Sequence, residues 1–319
     1  MAIKRGKIVI IGASNVGSAV ANKIADFELA SEIAFIDINQ DKAKGEALDS
    51  SHATSSIFSM NIQFHAGDYD DCKNAEIVII TAGPSIKPGE KPDRLILANT
   101  NAKIMRAVFG EVQKRTKEAK VIMITNPLDV ATYVVSTEFD YPREKIVGTG
   151  TMLETMRFRR ILADRYRVDP KNINGYVLGE HGNAAFVAWS TVNVAGLGLE
   201  HLDEYFKSEA KLDRKEVEQQ IVNVAYDIVN LKGFTNTGIA MAACRFIKSV
   251  EYDEHTIIPC SAVMNGEYGI KDVALSLPRM VTGNGLLHSF APHLTDAEVA
   301  AMEASAKSVR AALDGAGVR

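Results

Sequence analysis

The first half of the chain alternates two kinds of text, and that alternation constrains the fold more than any other feature. Short apolar, β-branched runs, KIVIIG (7–12), EIAFID (32–37), NIQFHAG (61–67), AEIVIIT (75–81) and KVIMITNP (120–127), are separated by text with helical spacing, VGSAVANKIADFELA and RLILANTNAKIMRAVFGEVQKR. Several runs are apolar at consecutive positions, as strands covered on both faces are. Strands joined through helices run parallel, so the pattern predicts an α/β fold with a Rossmann-type doubly wound parallel sheet. Such a sheet binds ligands beyond the carboxyl ends of its strands. Gly12, Asp37, Thr81 and Asn126 each follow a strand directly and are the first candidate positions.

The second half is more mixed. A helix is expected from about Met152 through ETMRFRRILADRY, and strand-like text lies around INGYVL and FVAWSTVNV. Amphipathic helices are expected over roughly 212–250, a hairpin or meander across HTIIPCSAVMNGEYGI and VALSLPRMV, and a closing helix near 295–313. A length of 319 residues suits two domains. The division expected is 1–148 for a dinucleotide-binding Rossmann domain and 149–319 for an α+β substrate domain. No Pro/Gly/Ser linker separates them, so close packing is expected.

Composition removes several classes of function. A formal charge of −4 gives no basic footprint for nucleic acid or an anionic membrane. No stretch approaches a membrane span, and the apolar run Ile8 to Ile11 is too short for a signal-peptide core. Cys72, Cys244 and Cys260 are scattered and form no CxxC pair, which argues against a disulfide framework or a structural metal and fits a reducing cytoplasm.

GASNVG (12–17) follows a strand and opens a helix, the context a dinucleotide-binding turn requires. Gly12 permits the tight turn, Gly17 permits close helix–strand approach, and the helix start offers N–H groups to a pyrophosphate. Where the pattern has a middle glycine this chain has Ser14, whose Cβ would crowd phosphates or whose hydroxyl would donate to them. Asp37 ends the second strand 20 residues after Gly17 (37 − 17), where a carboxylate accepts from ribose hydroxyls. Ile38 and Asn39 follow it, with no arginine for a 2′-phosphate, so NAD is expected as the cofactor rather than NADP.

Hydride exchange between NAD and a hydroxy acid needs a proton carrier, a cation for the carboxylate and a donor that polarises the carbonyl. GYVLGEHGNAAF (175–186) offers His181, a residue that titrates near neutrality, although the stretch alone equally suits a buried structural histidine. Glu154 and Arg157, three apart in GTMLETMRFRR, share a face if that text is helical. Arg94 stands before a helix in the Pro- and Gly-punctuated loop KPGEKPDRLILAN, where a mobile lid would sit. Thr235 lies beside glycines in KGFTNTGIA.

GDYDDCKNAEIVIITAG, ITNPLDVATYVV, KIVGTGTMLETMRFR, GYVLGEHGNAAFVAWSTVNVAG and KGFTNTGIAMA resemble, in order and over nearly the whole length, the L-lactate dehydrogenases of the lactate/malate dehydrogenase superfamily. The resemblance implies two tightly packed domains, a homo-oligomer (usually a tetramer), and interconversion of pyruvate with NADH and L-lactate with NAD. It implies that His181 transfers the proton with Glu154 as its partner, that Arg157 pairs with the substrate carboxylate, and that Arg94 polarises the carbonyl. It places Asn126 against cofactor and substrate, Thr235 in the substrate pocket, and Val16, Tyr69, Gly83 and Thr149 against NAD.

Four departures from the family pattern bear on specificity. Glu154 stands where aspartate is usual, Arg94 lies two residues further from KPGE, and Asn183 replaces the aspartate of GEHGD. Ile86 precedes KPG where lactate enzymes have glutamine and malate enzymes arginine, so it is a candidate substrate-facing residue. The longer lid and Asn183 resemble the L-2-hydroxyisocaproate dehydrogenases, which leaves an enzyme for larger apolar 2-oxo acids as the alternative. Malate dehydrogenase lacks support without the arginine, and a non-catalytic NAD-binding scaffold would have no need of His181, Arg157 and Arg94 together. Arg159 matches an arginine that binds fructose 1,6-bisphosphate in bacterial members, but the matching histidine is Asn174, so activation by the bisphosphate is not expected.

Overall fold

Strand β1 (Lys7–Ile11) buries Ile8, Val9, Ile10 and Ile11, and each neighbouring strand is as apolar, so the sheet they form must be covered on both faces. The structure, a computed structural model, describes residues 5–58, 60–84 and 94–318, with side chains from Leu97 onward in the last of these. The parallel strands β1, β2 (Glu32–Ile36), β3 (Gln63–Ala66), β4 (Ala75–Ile80), β5 (Lys120–Met123) and β6 (Ile146–Gly148) lie in the order 3-2-1-4-5-6. That is the dinucleotide-binding order, with the reversal between β1 and β4.

Helices α1 (Asn15–Asp26), α2 (Gln40–Ala53), α3 (Arg94–Gln113) and α4 (Leu128–Thr137) provide the crossovers. Helix α1 buries Gly17, Val20, Ala21 and Ile24, a spacing of three, one and three that makes one stripe along its length. Two of these four helices escaped the sequence reading, for opposite reasons. Helix α2 is polar nearly all round and buries only Ala43, Ala47 and Ser50. Helix α4, LDVATYVVST, is buried from Leu128 to Ser136, so no amphipathic period exists to be read.

The second half continues the same sheet. Following α5 (Met152–Tyr166) come five two-residue strands, β7 (Ile173–Asn174), β8 (Val177–Leu178), β9 (Phe186–Val187), β10 (Asn193–Val194) and β11 (Leu197–Gly198). Next are α6 (Leu199–Tyr205), α7 (Arg214–Lys232) and α8 (Thr237–Glu251), then the antiparallel strands β12 (Thr256–Asn265), β13 (Lys271–Thr282) and β14 (Gly285–Ser289), and finally α9 (Asp296–Gly315). Strand β12 runs antiparallel to β6 through Ser261 and Gly148, which makes one nine-stranded sheet. Helix α8 buries Ala240, Ala243, Phe246, Ile247 and Val250 in the same apolar cluster as Val20 and Ile24 of α1. At about 1.5–3 kcal/mol for each fully buried large aliphatic side chain, that shared core ties the two halves together.

Candidate active site

The turn after β1 is built by what its glycines lack. A Cβ on Gly17 would be driven into the Gly12 carbonyl oxygen, so only glycine lets α1 start this close to β1. Gly12 has φ +111°, and a Cβ there would stand 2.5 Å from Thr81 Oγ1. Thr81 fixes the turn from β4 by donating to the Gly12 carbonyl at 2.8 Å. Ser14 is the N-cap of α1, and its Oγ accepts from the Gly17 N–H at 3.5 Å. Its hydroxyl oxygen therefore faces its own helix, which still leaves the hydroxyl hydrogen for a ligand. Val16, in the first turn of that helix, is partly buried against the core.

Asp37, just past β2, reaches back to this turn. Its Oδ2 accepts from Ala13 N–H at 2.8 Å and its Oδ1 from Asn39 N–H at 2.8 Å. A carboxylate offers about four lone-pair directions, so acceptor capacity remains for two ribose hydroxyls. Further along the strand ends, Thr125 Oγ1 donates to the Ala82 carbonyl at 2.8 Å, and Gly83 has an extended φ of +158°. Asn101 on α3 donates to the Asn126 carbonyl, while its Oδ1, near Gly83, is buried without a partner among the described residues. Thr149 is fully buried, its N–H bonded to the Met123 carbonyl at 3.1 Å. These features suit a dinucleotide laid across the carboxyl edge: room where a Cβ would intrude, free helix N–H groups, and an acceptor at the ribose position.

The proton-exchange candidate is carried by the second half of the chain. Helix α5 puts Glu154 and Arg157 on one face, and the loop after β8 brings in His181. His181 Nδ1 lies 3.2 Å from one Glu154 carboxylate oxygen and 3.3 Å from the other. Glu154 is buried and also lies 3.7 Å from an Arg157 guanidinium nitrogen. The extra methylene of glutamate is thus accommodated without losing contact with the ring. Burial opposes charging His181, yet Glu154 first and Asp129 second outweigh it and raise the imidazole to about 9. Glu154 is lowered despite its burial because His181 and Arg157 stand beside it. Arg157 is pulled below the usual arginine range by burial that Glu154 only partly offsets, so a second anion would be welcome there.

Arg157 and Thr235 line one cleft of about 750 Å³ between α5, α7 and the start of α8, with Leu153, Met156, Val224 and Ile239 as apolar wall. Its polar lining also carries Arg160, Asp227 and Lys232, and neither His181 nor Glu154 lines it. Ile86 and the Arg94 side chain, both expected at the site, lie outside the described residues. Tyr69 begins a short 3₁₀ turn and packs against the core, with the Arg115 guanidinium carbon 5.9 Å from its ring centre. No described contact joins it to Asp37 or to the glycine turn.

One buried carboxylate escaped the sequence reading altogether. Asp129, in the first turn of α4, accepts from the His181 main-chain N–H at 2.7 Å and from Ser261 Oγ at 2.5 Å. Its signal was present in ITNPLDVATYVV: a single carboxylate in the first turn of an otherwise apolar stretch.

Family models fit nearly the whole chain. The lactate/malate dehydrogenase NAD binding domain matches residues 6–148, and the lactate/malate dehydrogenase alpha/beta C-terminal domain matches residues 151–316. The chain belongs to the lactate/malate dehydrogenase family. Its cofactor is accordingly NAD. It is 73% identical over 315 residues to an L-lactate dehydrogenase of Selenomonas ruminantium, covering 99% of each chain. With L-lactate dehydrogenase 2 of Clostridium acetobutylicum it shares 46% identity, over 98% of this chain and 97% of that protein. Among solved structures, the minor L-lactate dehydrogenase of Enterococcus mundtii in its ligands-bound form superposes with a TM-score of 0.91 at 35% identity, covering 98% of each chain. Among the described residues, no helix is long and apolar enough to cross a membrane.

Proposed function

We propose that the chain is an NAD-dependent L-lactate dehydrogenase that exchanges a hydride between NADH and pyruvate, and that His181, Glu154 and Arg157 form the centre of its site. The observation that carries this reading is the run from the partly buried His181 Nδ1 through the buried Glu154 to the partly buried Arg157, at 3.2 Å and 3.7 Å. Full-length identity of 73% to an L-lactate dehydrogenase supports it independently.

Bound NADH supplies the hydride. Glu154 holds Nδ1–H of the imidazole, so Nε2 carries the exchangeable proton toward the substrate oxygen. With His181 raised to about 9, the ring is an imidazolium at neutral pH and is ready to donate as pyruvate is reduced. Arg157 takes the substrate carboxylate in a two-pronged pair, relieving its own uncompensated burial. Thr235 and Ile86 bound the substrate's side chain, and Arg94, expected before the helix but in fact the first residue of α3, polarises the carbonyl. Gly12, Ser14, Val16, Gly17, Asp37, Tyr69, Thr81, Gly83, Asn126 and Thr149 hold NAD, with Asn126 also touching substrate. The working division is an NAD-binding domain over 1–148 and a substrate domain over 149–319.

The chain assembles as a homotetramer in this reading, supported by Leu48, Ile57 and Phe58, apolar residues that lie exposed on and after α2. A cytoplasmic setting is supported by three free, buried cysteines. The catalytic assignment is tested with His181→Ala. That variant should still quench its own fluorescence on binding NADH, yet show no measurable turnover of pyruvate; retained turnover would remove His181 from the role.

A further inference from the structure

Proton and hydride must reach adjacent atoms of one substrate, yet their carriers belong to different halves of the chain. In the proposed site NAD would lie along the strand ends of the first half, including Asn126, whereas His181 stands on the loop after β8 in the second. Three residues beyond Asn126, Asp129 crosses that division. Its side chain is 3% exposed, and its Oδ2 accepts from the His181 N–H at 2.7 Å while its Oδ1 accepts from Ser261 Oγ at 2.5 Å. The residues around His181 are held elsewhere as well. Gly179 exchanges both main-chain hydrogen bonds with Ser276 at 2.9 and 3.1 Å, and Ser305 Oγ donates to the Ala184 carbonyl. Asp129 is the side-chain bond among the described residues that reaches the main chain of His181 itself.

We infer that Asp129 is a positioning residue for proton transfer: from the NAD-binding half, it fixes where the main chain of His181 stands relative to the cofactor edge. Glu154 sets the orientation of the ring, and Asp129 sets the position of the residue that bears it. The second contribution is charge. Glu154 and Arg157 of α5 and Asp129 of α4 act on the imidazole, and Asp129 adds to the attraction of Glu154 for its proton. Asp129 itself is pushed up to about 6 by burial, against the pull of Ser261 and His181, with Glu180 adding to the rise and the buried Arg279 of β13 also within its field. At neutral pH it is therefore ionised, and it sits in the first turn of α4, where the helix dipole favours a negative charge.

This inference rests on His181 being the proton carrier, so the experiment separates the two. Asp129→Asn keeps size and an acceptor for the His181 N–H, and its amide can donate to Ser261 Oγ; only the charge is lost. Loss of the unit charge that Asp129 adds beside the partly buried imidazole weakens its hold on a proton by about tenfold. The alkaline fall of kcat/KM for pyruvate in Asp129→Asn should begin about one pH unit earlier, with NADH affinity unchanged. Asp129→Ala should lower kcat by roughly a hundredfold, the usual loss for a misplacement near 1 Å, while NADH affinity holds. A merely structural aspartate would lower the melting temperature of both variants, leaving the pH profile and the kcat of folded enzyme alone, and that result overturns the inference. If Asp129→Ala does not fold, the pH profile of Asp129→Asn decides by itself. Turnover surviving in His181→Ala would instead overturn the underlying assignment, whatever the Asp129 variants do.

Discussion

Replacing Glu154 with glutamine keeps the shape of the site and removes one charge, so its consequences can be worked from the structure. At the observed 3.2 Å, opposite unit charges attract by about 5 kcal/mol at an effective dielectric constant of 20. Burial takes part of that back. The net result, His181 raised from its ordinary 6.5 to about 9, corresponds to about 3 kcal/mol in favour of the imidazolium. In Glu154→Gln, burial acts against the charge with only Asp129 to oppose it, so the imidazole returns to about 6.5 or below. At pH 7.5 the protonated fraction then falls from nearly complete to about a tenth. Steady-state NADH oxidation across pH should show kcat/KM for pyruvate at least tenfold lower at pH 7.5, with much of the loss recovered as pH falls toward 5.5. The wild type should hold its plateau until about pH 9. An unchanged inflection in Glu154→Gln would refute the pairing of Glu154 with the catalytic ring.

Other outcomes follow from single residues. In the proposed site the Asp37 carboxylate, held at the glycine turn by Ala13 N–H, would meet the ribose and repel a 2′-phosphate, so NADPH should be used far less efficiently than NADH; comparable kcat/KM for both would contradict that role. Asn174 is turned to Asn193 at 3.0 Å, and the Arg159 guanidinium reaches the Gly175 carbonyl at 3.4 Å, so the pair presents no two-cation phosphate site. Fructose 1,6-bisphosphate should leave the pyruvate saturation curve unchanged, and conversion of a sigmoidal curve to a hyperbolic one would contradict this. Glu251, raised to about 7 by burial, has an Oε1 with no partner among the described residues. A carboxyl raised on folding costs stability once ionised, fully above about 7 and not at all below its ordinary 4.5. Glu251→Gln should therefore raise the melting temperature at pH 8, by a gain of about 1–3 kcal/mol, and not at pH 4.5.

What the sequence revealed of the fold tracks how each element is buried. The five runs read as strands appear as β1 to β5: in β1, β2, β4 and β5 consecutive buried apolar residues leave a compact local signal, whereas β3 has no buried residue and is held by its pairing with β2. Strand β6, three residues long, and the two-residue strands of the second half carry too little text to be read one by one. The junction of β6 with β12 was illegible for another reason: Gly148 and Ser261 are 113 residues apart (261 − 148), and nothing local to either announces the pairing. At the site, the ordered motifs named His181, Glu154 and Arg157, and the structure brings them together. Asp129 acts across the division between the halves, through a main-chain N–H, and such a bond has no spacing rule that a sequence can show.

Initial rates of NADH oxidation with pyruvate, 2-oxobutyrate, 2-oxoisocaproate and oxaloacetate test the assignment most directly. Pyruvate should be the preferred substrate, with 2-oxobutyrate competing. Oxaloacetate would bury a second carboxylate near Ile86 with no arginine at that position, at a cost of about 3–5 kcal/mol, so its kcat/KM should lie roughly two to three orders of magnitude lower. No turnover of any 2-oxo acid, or oxaloacetate reduced as well as pyruvate, would contradict an L-lactate dehydrogenase built around His181, Glu154 and Arg157.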